Sequence, residues 1–412
     1  MGLRERLRRA TSSPRRVAAI VLAFHGLWIG AYFVAGHEAR DFIKIGVRFV
    51  ARSHASSRIR YDPSYRYPAN HARSQGVGYD GQFAYYMALD FPKARYYMDA
   101  PAYRYARVLY PVTAAGLALG SAAAIPYALI LVNWLAIGGG TLALASWLRR
   151  RRAPPVLALL FGLSPGLLIG LQRDLSEPLA YALVAAAIWL LDSGRRRRVL
   201  GAALLFGLAG LARQTTVVFP LVYAAGMLLR GGGPVASLLR ANGPRVLGFL
   251  ALSVGPIVAY TAAVSVWLGG GAGANLFEPL PFEGLVAIGS SKLTQQSPAL
   301  VFATQIVFCV APSLLAAAIA WRGLRPGEGR FERAALLANV VLFVVFVNRA
   351  VYTNYIGSAR VSLVPVVLAA VLCVPYLARP TRRVMGAMVA SAALWMTMLP
   401  VIAVYGFLQL RV

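Results

Sequence analysis

The chain has 412 residues, of which 58% are hydrophobic and 14% are charged, and its mean hydropathy is +0.62. Soluble domains contain roughly 25% charged residues, so this composition excludes an ordinary soluble globular protein. The apolar residues form blocks of about 15–25 residues between arginine clusters, a pattern typical of repeated membrane spans. The only cysteines, Cys309 and Cys373, lie inside such blocks, which excludes a disulfide-rich secreted scaffold.

The net charge of +28 is distributed as a membrane-orientation signal. If the arginine clusters all face the cytoplasm, 24 of the 42 basic residues follow the positive-inside rule. We therefore interpret the excess as an orientation signal plus attraction to anionic membrane lipid, with little support for nucleic-acid binding. The clusters are Arg4–Arg16, Arg149–Arg152, Arg195–Arg198, Arg230–Arg245, Arg322–Arg333 and Arg379–Arg383.

The first apolar block, Val17–Ala35, is longer than a signal-peptide core and predicts an uncleaved anchor with a cytoplasmic N-terminus. The polar segment 36–107 follows and is long enough to be exported despite its basic residues. The next 41 residues are mostly apolar, but two spans there would place Arg149–Arg152 outside. We therefore predict one span over Ile125–Leu148, preceded by a short helix over Val108–Leu119 at the outer face.

These choices predict an all-α, polytopic membrane protein with about eleven spans, a cytoplasmic N-terminus and an extracytoplasmic C-terminus. It forms one transmembrane domain over 1–412, with 36–107 as a long extracytoplasmic first loop that contains short juxtamembrane helices. Helices are required because lipid cannot satisfy the open edge of a sheet. The other predicted spans are Pro154–Leu171, Pro178–Leu191, Val199–Ala212, Val217–Leu229, Val246–Leu268, Ala299–Trp321, Ala334–Val347, Val361–Leu377 and Val384–Tyr405.

The chemically varied residues fall in the predicted outer loops, so we expect an active site to face the extracytoplasmic side. In the first loop, Gly78 and Gly81 bracket Asp80, and a short helix is predicted from Gln82 onward. Asp80 fits a turn or helix cap, and it also fits a carboxylate held at the mouth of a membrane cavity. Eleven of the 20 tyrosines lie in 61–110, and we interpret most as an interfacial aromatic belt.

A second acidic position is formed by Asp174 and Glu177, three residues apart at the start of a predicted helix. This spacing fits a capping arrangement. Carboxylates at a membrane face are also costly unless they are paired or used, so a functional role stays open. The neighbouring Arg173 fits either a phosphate ligand or a counter-charge to the acids.

Arginines also occur in the outer loops, apart from the clusters. Arg213 lies in a short gap between two predicted spans and fits either a snorkelling side chain or a ligand. Arg349 and Arg360 flank Tyr355 in the last sizeable outer loop. Because guanidinium groups bind phosphate oxygens bidentately, outward arginines beside a lipid-facing cavity favour a phosphate-bearing lipid.

Several common catalytic motifs are missing from the sequence. It contains no GxxxxGK[ST], HExxH or CxxC motif, so neither a P-loop nor an obvious zinc site is predicted. The four histidines have no ligand spacing, and His25 is expected to be a buried polar residue. Gly138–Gly140 and Gly231–Gly233 are interpreted as helix-packing or turn residues.

In the order and placement of its motifs the chain resembles the GT-C superfamily of integral-membrane glycosyltransferases, which use polyprenyl-phosphate sugars. It is similar to bacterial mannosyltransferase-like proteins of cell-surface glycopolymer assembly. The resemblance covers most of the chain. It rests on Gly78-Tyr-Asp-Gly-Gln82 in the first outer loop, Arg107-Val-Leu-Tyr-Pro111, Arg173-Asp-Leu-Ser-Glu177-Pro and Arg360 at the start of a late span.

The resemblance implies transfer of a sugar from a polyprenyl-phosphate donor to a glycan or lipid acceptor, with inversion, at the outer face of the cell membrane. It implies Asp80 as catalytic base, Asp174 or Glu177 as a second acid, and Arg173, Arg213 and Arg360 as donor ligands, with Tyr79, Gln82 and Tyr355 in support. Many members carry two adjacent acids in the first loop, whereas Asp80 stands alone. A Mg²⁺ or Mn²⁺ site formed by Asp80, Asp174 and Glu177 therefore stays open.

Two other classes of function are compatible with the sequence. A transporter or lipid flippase would carry ionisable or helix-breaking residues near mid-span and often repeated halves. Here the obvious charges lie near the ends of the predicted spans, and no repeat is visible. A non-catalytic scaffold of an envelope complex predicts that Asp80, Asp174 and Glu177 do not converge on one cavity.

Overall fold

The computed structural model describes residues 13–50, 58–60, 76–192, 194–229, 234–271, 276–290, 297–323, 328–378 and 381–408. Within these ranges all regular elements are helices, apart from one isolated bridge between Phe277 and Val347. The predicted all-α class is therefore confirmed. The interpretations of Arg4–Arg9, of the tyrosines in 61–67 and of Gly231–Gly233 concern positions outside the described residues.

Fourteen helices carry labels in chain order. They are α1 (Pro14–Val34), α2 (Gly81–Leu89), α3 (Leu109–Leu117), α4 (Ile125–Arg150), α5 (Pro165–Gln172), α6 (Glu177–Leu191), α7 (Arg196–Ala212), α8 (Val218–Leu228), α9 (Val235–Ser253), α10 (Gly255–Leu268), α11 (Pro298–Gly323), α12 (Arg330–Val340), α13 (Tyr355–Tyr376) and α14 (Arg382–Leu408). Proline occupies the first or second position of α1, α4, α5, α6, α10 and α11, where its missing N–H breaks no helical bond.

Short helical turns connect these helices. They are Arg40–Ile43, Val47–Val50, Ala94–Tyr97, Pro101–Tyr105, Pro155–Gly162, Gln214–Val217, Glu283–Val286, Ala287–Ser290 and Arg349–Tyr352. Three segments have π-helical hydrogen bonding: Ile306–Val310 within α11, Val341–Val345 directly after α12, and Ala359–Leu363 within α13. Such segments insert an extra residue into a helical turn and are frequent at functional sites.

Five helices, α1, α4, α11, α13 and α14, are long and apolar enough to cross a membrane. Two bent pairs raise this number to seven if each pair is one span: Pro155–Gly162 with α5 (47°), and Ser237–Ser253 with α10 (45°). The chain is therefore a multi-pass membrane protein. The other predicted spans coincide with the shorter helices α6, α7, α8 and α12, so the count of about eleven stays a prediction.

The helix α3 ends at Leu117, and α4 begins at Ile125 after a turn, so the predicted short helix before a single long span is confirmed. The helix α4 packs against α1 on one side and α6 on another, and α6 also packs against α7. Close approach of α4 and α6 occurs at Gly140, next to Ala182. These four helices, α1, α4, α6 and α7, thus form one packed group.

The first loop packs with α3, the start of α4 and part of α10 in one apolar cluster. Five of the eight tyrosines from Tyr79 to Tyr110 are buried: Tyr85, Tyr86, Tyr97, Tyr105 and Tyr110. They pack with Phe83 and Phe49 in one cluster. The prediction that most of these tyrosines form an interfacial belt is wrong for these five, because they fill an apolar cluster that the loop shares with α4 and α10.

Candidate functional site

Asp80 is placed by a glycine-dependent turn in the first loop. Gly78 has φ +70°, a left-handed conformation that favours glycine. The next residue, Tyr79, donates its backbone N–H to the carbonyl of Lys44 at 2.9 Å. A Cβ on Gly81 would lie 2.2 Å from the carbonyl oxygen of Arg173. Only glycine therefore allows α2 to begin directly against the backbone of Arg173, with Asp80 at the junction.

Gln82, predicted as a supporting residue, fixes this turn. Its Oε1 accepts the backbone N–H of Gly46 at 2.9 Å and the hydroxyl of Tyr86 at 3.3 Å. Its Nε2 donates to the carbonyl of Val77 at 2.6 Å. The side chain is fully buried, so Gln82 holds the segment before Asp80 and does not project toward the other charged groups.

Asp80 is surrounded by three guanidinium groups. Its Oδ1 lies 3.0 Å from Nη1 of Arg104, and its Oδ2 lies 3.1 Å from Nη2 of Arg360 and 3.9 Å from Nη1 of Arg107. Burial raises the pKa of Asp80, but the positive charges of Arg104, Arg360 and Arg107 outweigh it and hold the pKa well below its usual range. Asp80 is therefore ionised at neutral pH.

Arg104 and Arg107 were not among the predicted site residues. Arg104 is held by Asp99, whose two carboxylate oxygens accept its Nε and Nη2 at 2.9 Å each, and by the ring of Phe83, 4.3 Å from its guanidinium carbon. Arg107 donates to the hydroxyl of Tyr103 and stacks on its ring. No signal in the sequence distinguished these two arginines from the other basic residues among the 12 Lys and Arg of 36–107.

Glu177 forms the second half of the site. It is the first residue of α6, and its side chain is 1% exposed. Its Oε1 lies 2.9 Å from Nη1 of Arg213 and 3.3 Å from Nη1 of Arg360. Arg360 therefore bridges Asp80 and Glu177, two carboxylates 97 positions apart in the chain. Arg360 lies in the π-helical segment Ala359–Leu363 of α13.

Arg173 and Tyr79 adjoin this bridge. The guanidinium carbon of Arg173 lies 4.2 Å from the centre of the Tyr79 ring, and that of Arg360 lies 5.2 Å from the same ring. These are cation–π distances. Lys44 and Arg173 line a small cavity of ≈ 10 Å³ with Gln172. Burial, and then the charge of Arg173, lowers the pKa of Lys44 to about 7.

The cluster carries more positive than negative charge. It consists of Arg104, Arg107, Arg173, Arg213 and Arg360 with Asp80, Asp99 and Glu177. Nε of Arg213 and Nε of Arg360 are buried without a hydrogen-bond partner among the described protein groups. Because buried donors without acceptors are costly, the cluster is chemically suited to an anion with several oxygens.

Two predicted site residues lie apart from the cluster. Asp174 has φ +47° and turns its buried side chain toward Tyr110, whose hydroxyl lies 3.4 Å from Oδ1. That hydroxyl also accepts Nδ2 of Asn133 at 2.8 Å. Tyr355 packs edge-on against Phe308. Of the two acids Asp174 and Glu177, the structure therefore joins Glu177, and not Asp174, to Asp80.

The contacts also test the purely structural roles that the sequence allowed for these residues, namely helix capping by Asp80 and Asp174 and snorkelling by Arg213. Asp80 precedes α2 but makes no capping hydrogen bond, and Ser176, not Asp174, precedes α6. Arg213 is 4% exposed and faces Glu177, so it does not snorkel. His25 is buried, with Nε2 2.9 Å from the carbonyl of Gly162, as predicted.

The donor set does not fit a divalent metal ion. Asp80 and Glu177 face arginines, whose charge repels a cation, and Asp174 faces Tyr110 and Asn133. No group of three His, Cys, Asp or Glu side chains suited to a metal occurs among the residues that the structure describes. The Mg²⁺ or Mn²⁺ site that the sequence left open for Asp80, Asp174 and Glu177 is therefore not supported by the arrangement of these residues.

The fold and the site together define a multi-pass helical membrane protein with a buried arginine–carboxylate cluster suited to an anionic ligand. No family model, curated protein or solved structure matches the chain.

Proposed function

We propose that the chain is a GT-C-type membrane glycosyltransferase that moves a sugar from a polyprenyl-phosphate donor to an extracytoplasmic glycan or lipid acceptor. The observation that carries this proposal is the bridge formed by Arg360 between Asp80 and Glu177, inside a cluster with an excess of arginine. A reaction of this class needs one carboxylate to accept a proton and several cations to stabilise a leaving phosphate. The cluster supplies both kinds of group within one site.

In this proposal the donor phosphate binds to Arg213 and Arg360. The Nε–H group of each arginine has no partner among the described protein groups and supplies a hydrogen-bond donor for the phosphate oxygens, and the guanidinium geometry favours bidentate contacts. Glu177 keeps both arginines in place when the phosphate is absent. Arg173, stacked on Tyr79, extends the positive surface on one side.

Asp80 is the proposed base, and its three arginines make it a weak one until the donor binds. The phosphate competes with Asp80 for Arg360, so donor binding removes part of the positive charge that lowers the pKa of Asp80. Asp80 then takes the proton of the acceptor hydroxyl as that oxygen forms a bond to the anomeric carbon. The bond from that carbon to the phosphate oxygen breaks, and the phosphate leaves with the electron pair. Attack opposite the leaving group inverts the anomeric configuration.

We also propose the topology of about eleven spans in the cell membrane, with the cytoplasmic N-terminus and extracytoplasmic site derived from the sequence. The arginine clusters at 149–152 and 195–198 follow the ends of α4 and α6, whereas Glu177 begins α6 at its other end. This separation supports opposite sides for the clusters and the site. Single cysteines introduced at Arg197 and at Asp90, tested with a membrane-impermeant thiol reagent, report the side of each.

The experiment that tests the function is turnover of short-chain polyprenyl-phosphate sugars by the purified full chain in nanodiscs. We expect Asp80→Asn to lose transfer while retaining donor binding. Asp90→Asn is the matched control, because Asp90 is at the other end of α2 and its Oδ2 accepts only the backbone N–H of Arg58 among the described contacts. Full transfer by a folded Asp80→Asn protein contradicts the role of the base.

The alternatives give different results in the same preparation. A flippase moves the intact donor across the bilayer, and the bond between sugar and phosphate survives. A scaffold binds no polyprenyl phosphate. Binding without release of free polyprenyl phosphate, in a folded wild-type protein supplied with acceptor, therefore contradicts the glycosyltransferase and favours the transporter.

A further inference from the structure

A large cavity lies at the end of α6 and α7 that is opposite the arginine–carboxylate cluster. Its volume is ≈ 1940 Å³, above the roughly 300–1,000 Å³ of a typical small-molecule site. Glu177 begins α6 at the cluster, and Leu191 ends it at the cavity. Arg196 begins α7 at the cavity, and Arg213 follows its other end. At 1.5 Å per residue the two sites are about 20–25 Å apart.

The walls of the cavity are mainly apolar. Helices α6, α7, α8 and α9 contribute Ile188, Leu200, Ala203, Val222, Phe249 and Leu252. Polar groups in the wall pair with one another: Nε of Arg151 donates to Oδ1 of Asp192 at 2.7 Å, which balances the charges of that pair, and the hydroxyl of Tyr376 donates to Oε1 of Glu332 at 3.3 Å. An apolar space of this size is costly to fill with water alone, so the walls favour an occupant with hydrocarbon chains.

The rim of the cavity is basic. Arg196, Arg245 and Arg330 line it and are exposed, and their side chains make no ion pair or hydrogen bond within the part of the chain that the structure describes. Glu328 is the acidic residue of the rim, so positive charge is in excess there. Three arginines from three different helices or helix ends thus surround the entrance to an apolar space. A basic rim over apolar walls is complementary to a phosphate headgroup attached to acyl chains.

We propose that this cavity binds an anionic glycerophospholipid, with its phosphate among Arg196, Arg245 and Arg330 and its acyl chains along the apolar walls. The site is separate from the arginine–carboxylate cluster and does not depend on the function proposed for it. Arginine donates in a fixed fork and is more weakly hydrated than lysine, which suits a phosphate at a membrane interface.

Lipid retention by the purified full chain tests the charge component. In native mass spectrometry with equal phosphatidylglycerol and phosphatidylcholine, we expect the wild type to retain phosphatidylglycerol. The triple variant Arg196→Gln, Arg245→Gln, Arg330→Gln is expected to bind it roughly fivefold more weakly for each arginine removed. The matched control substitutes Arg197, Arg240 and Arg382 with Gln: these are exposed arginines that do not line the cavity. It is expected to change retention by less than about twofold.

Filling the cavity tests the apolar component. Gly248 lines the cavity on α9, and a Cβ there meets nothing within 4 Å, so Gly248→Trp adds bulk without a backbone clash. We expect loss of the retained phosphatidylglycerol. Gly243→Trp is the control, because Gly243 is on the same helix, has equal space, and is not part of the cavity lining.

Three results overturn the proposal, provided that each variant unfolds at the temperature of the wild type. They are equal retention of phosphatidylcholine, an effect of the control triple as large as that of the rim triple, and undiminished retention in Gly248→Trp. The assay contains no polyprenyl phosphate, so its failure leaves the transferase proposal unaffected, and failure of the transferase leaves this site unaffected.

Discussion

Replacing Arg360 tests the bridge on which the site depends. Arg360→Gln removes a guanidinium that lies 3.1 Å from a carboxylate oxygen of Asp80 and 3.3 Å from one of Glu177. Arg360→Lys retains the positive charge, but a single ammonium cannot present the two-armed geometry that reaches both acids. The two variants therefore separate the charge of Arg360 from its shape.

The expected magnitude follows from the remaining contacts. Removing one partner of a buried ion pair destabilises a protein by about 3–5 kcal/mol. The side chain of Arg360 is 15% exposed, Asp80 keeps Arg104 and Arg107, and Glu177 keeps Arg213. We therefore expect the lower end, about 3 kcal/mol, for Arg360→Gln, and roughly half of that for Arg360→Lys.

The measurement is denaturant unfolding of the full chain in detergent micelles, followed by tryptophan fluorescence. Arg349→Gln is the matched control, because Arg349 is exposed and lies 11 positions earlier in the chain, outside the cluster. A change below about 0.5 kcal/mol is expected for a surface position. Combining Arg360→Gln with Glu177→Gln should destabilise less than the sum of the single changes, since the two residues interact directly.

The reasoning is refuted if Arg360→Gln unfolds with the same free energy as Arg349→Gln, or if the effects of Arg360→Gln and Glu177→Gln add without coupling. Either result means that the bridge contributes nothing measurable to the folded state. Transfer activity is a separate readout: loss of one donor to the leaving phosphate is expected to lower kcat by about 10²–10³-fold.

Four further predictions follow from the site. Gly81→Ala should destabilise the folded protein by about 1–3 kcal/mol, because the added Cβ would meet the carbonyl oxygen of Arg173. Thermal unfolding tests this, with Gly116→Ala as the control, since a Cβ at that helical position meets nothing within 4 Å. Because folding lowers the pKa of Asp80, its stabilising contribution is complete above about pH 4 and is lost as the pH falls through the lower folded pKa. The free energy of unfolding, measured between pH 2 and 6, should therefore fall less steeply with decreasing pH for Asp80→Asn than for the wild type. Glu177→Gln should abolish transfer whereas Asp174→Asn retains it, and equal loss in both would contradict the assignment of the second acid. Treatment with EDTA should leave the turnover rate unchanged, and rescue of a chelated sample by Mg²⁺ or Mn²⁺ would contradict the absence of a fitting donor set.

The helical architecture followed from the sequence because hydropathy and arginine placement depend on composition along the chain. The single long helix after the first loop illustrates this, since charge alone distinguished Ile125–Leu148 from a two-span alternative, and α4 covers Ile125–Arg150. The number of spans did not follow in the same way. Helices such as α6 and α8 are apolar but short, and length is what a membrane requires.

Part of the site could also be predicted from local sequence context. Asp80, Glu177, Arg213 and Arg360 stood out because each is a charged residue in an otherwise apolar or sharply turning context. The choice between Asp174 and Glu177 depended on a positive φ at Asp174, which sends that side chain toward Tyr110. The spacing of Asp174 and Glu177 in the sequence does not predict the positive φ at Asp174.

The positions of Arg104 and of the buried tyrosines could not be predicted from the sequence. A basic residue in a loop with 12 Lys and Arg carries no sign that it will face Asp80 rather than water. The tyrosines Tyr86, Tyr97 and Tyr105 were assigned to a membrane interface because their composition fits one. Their burial results from the tertiary packing of the loop, which no local pattern encodes.

The π-helical segment Ala359–Leu363 makes the site sensitive to chain length as well as to residue identity. Removing one residue from it would turn the part of the chain before the deletion by about 100° relative to the part after it, with a shift of about 1.5 Å. The buried stretch Val364–Cys373 is fixed by its packing, so Arg360 would be the side that rotates away. A chain shortened in this way would keep nearly the same hydropathy in α13, but Arg360 would no longer bridge Asp80 and Glu177.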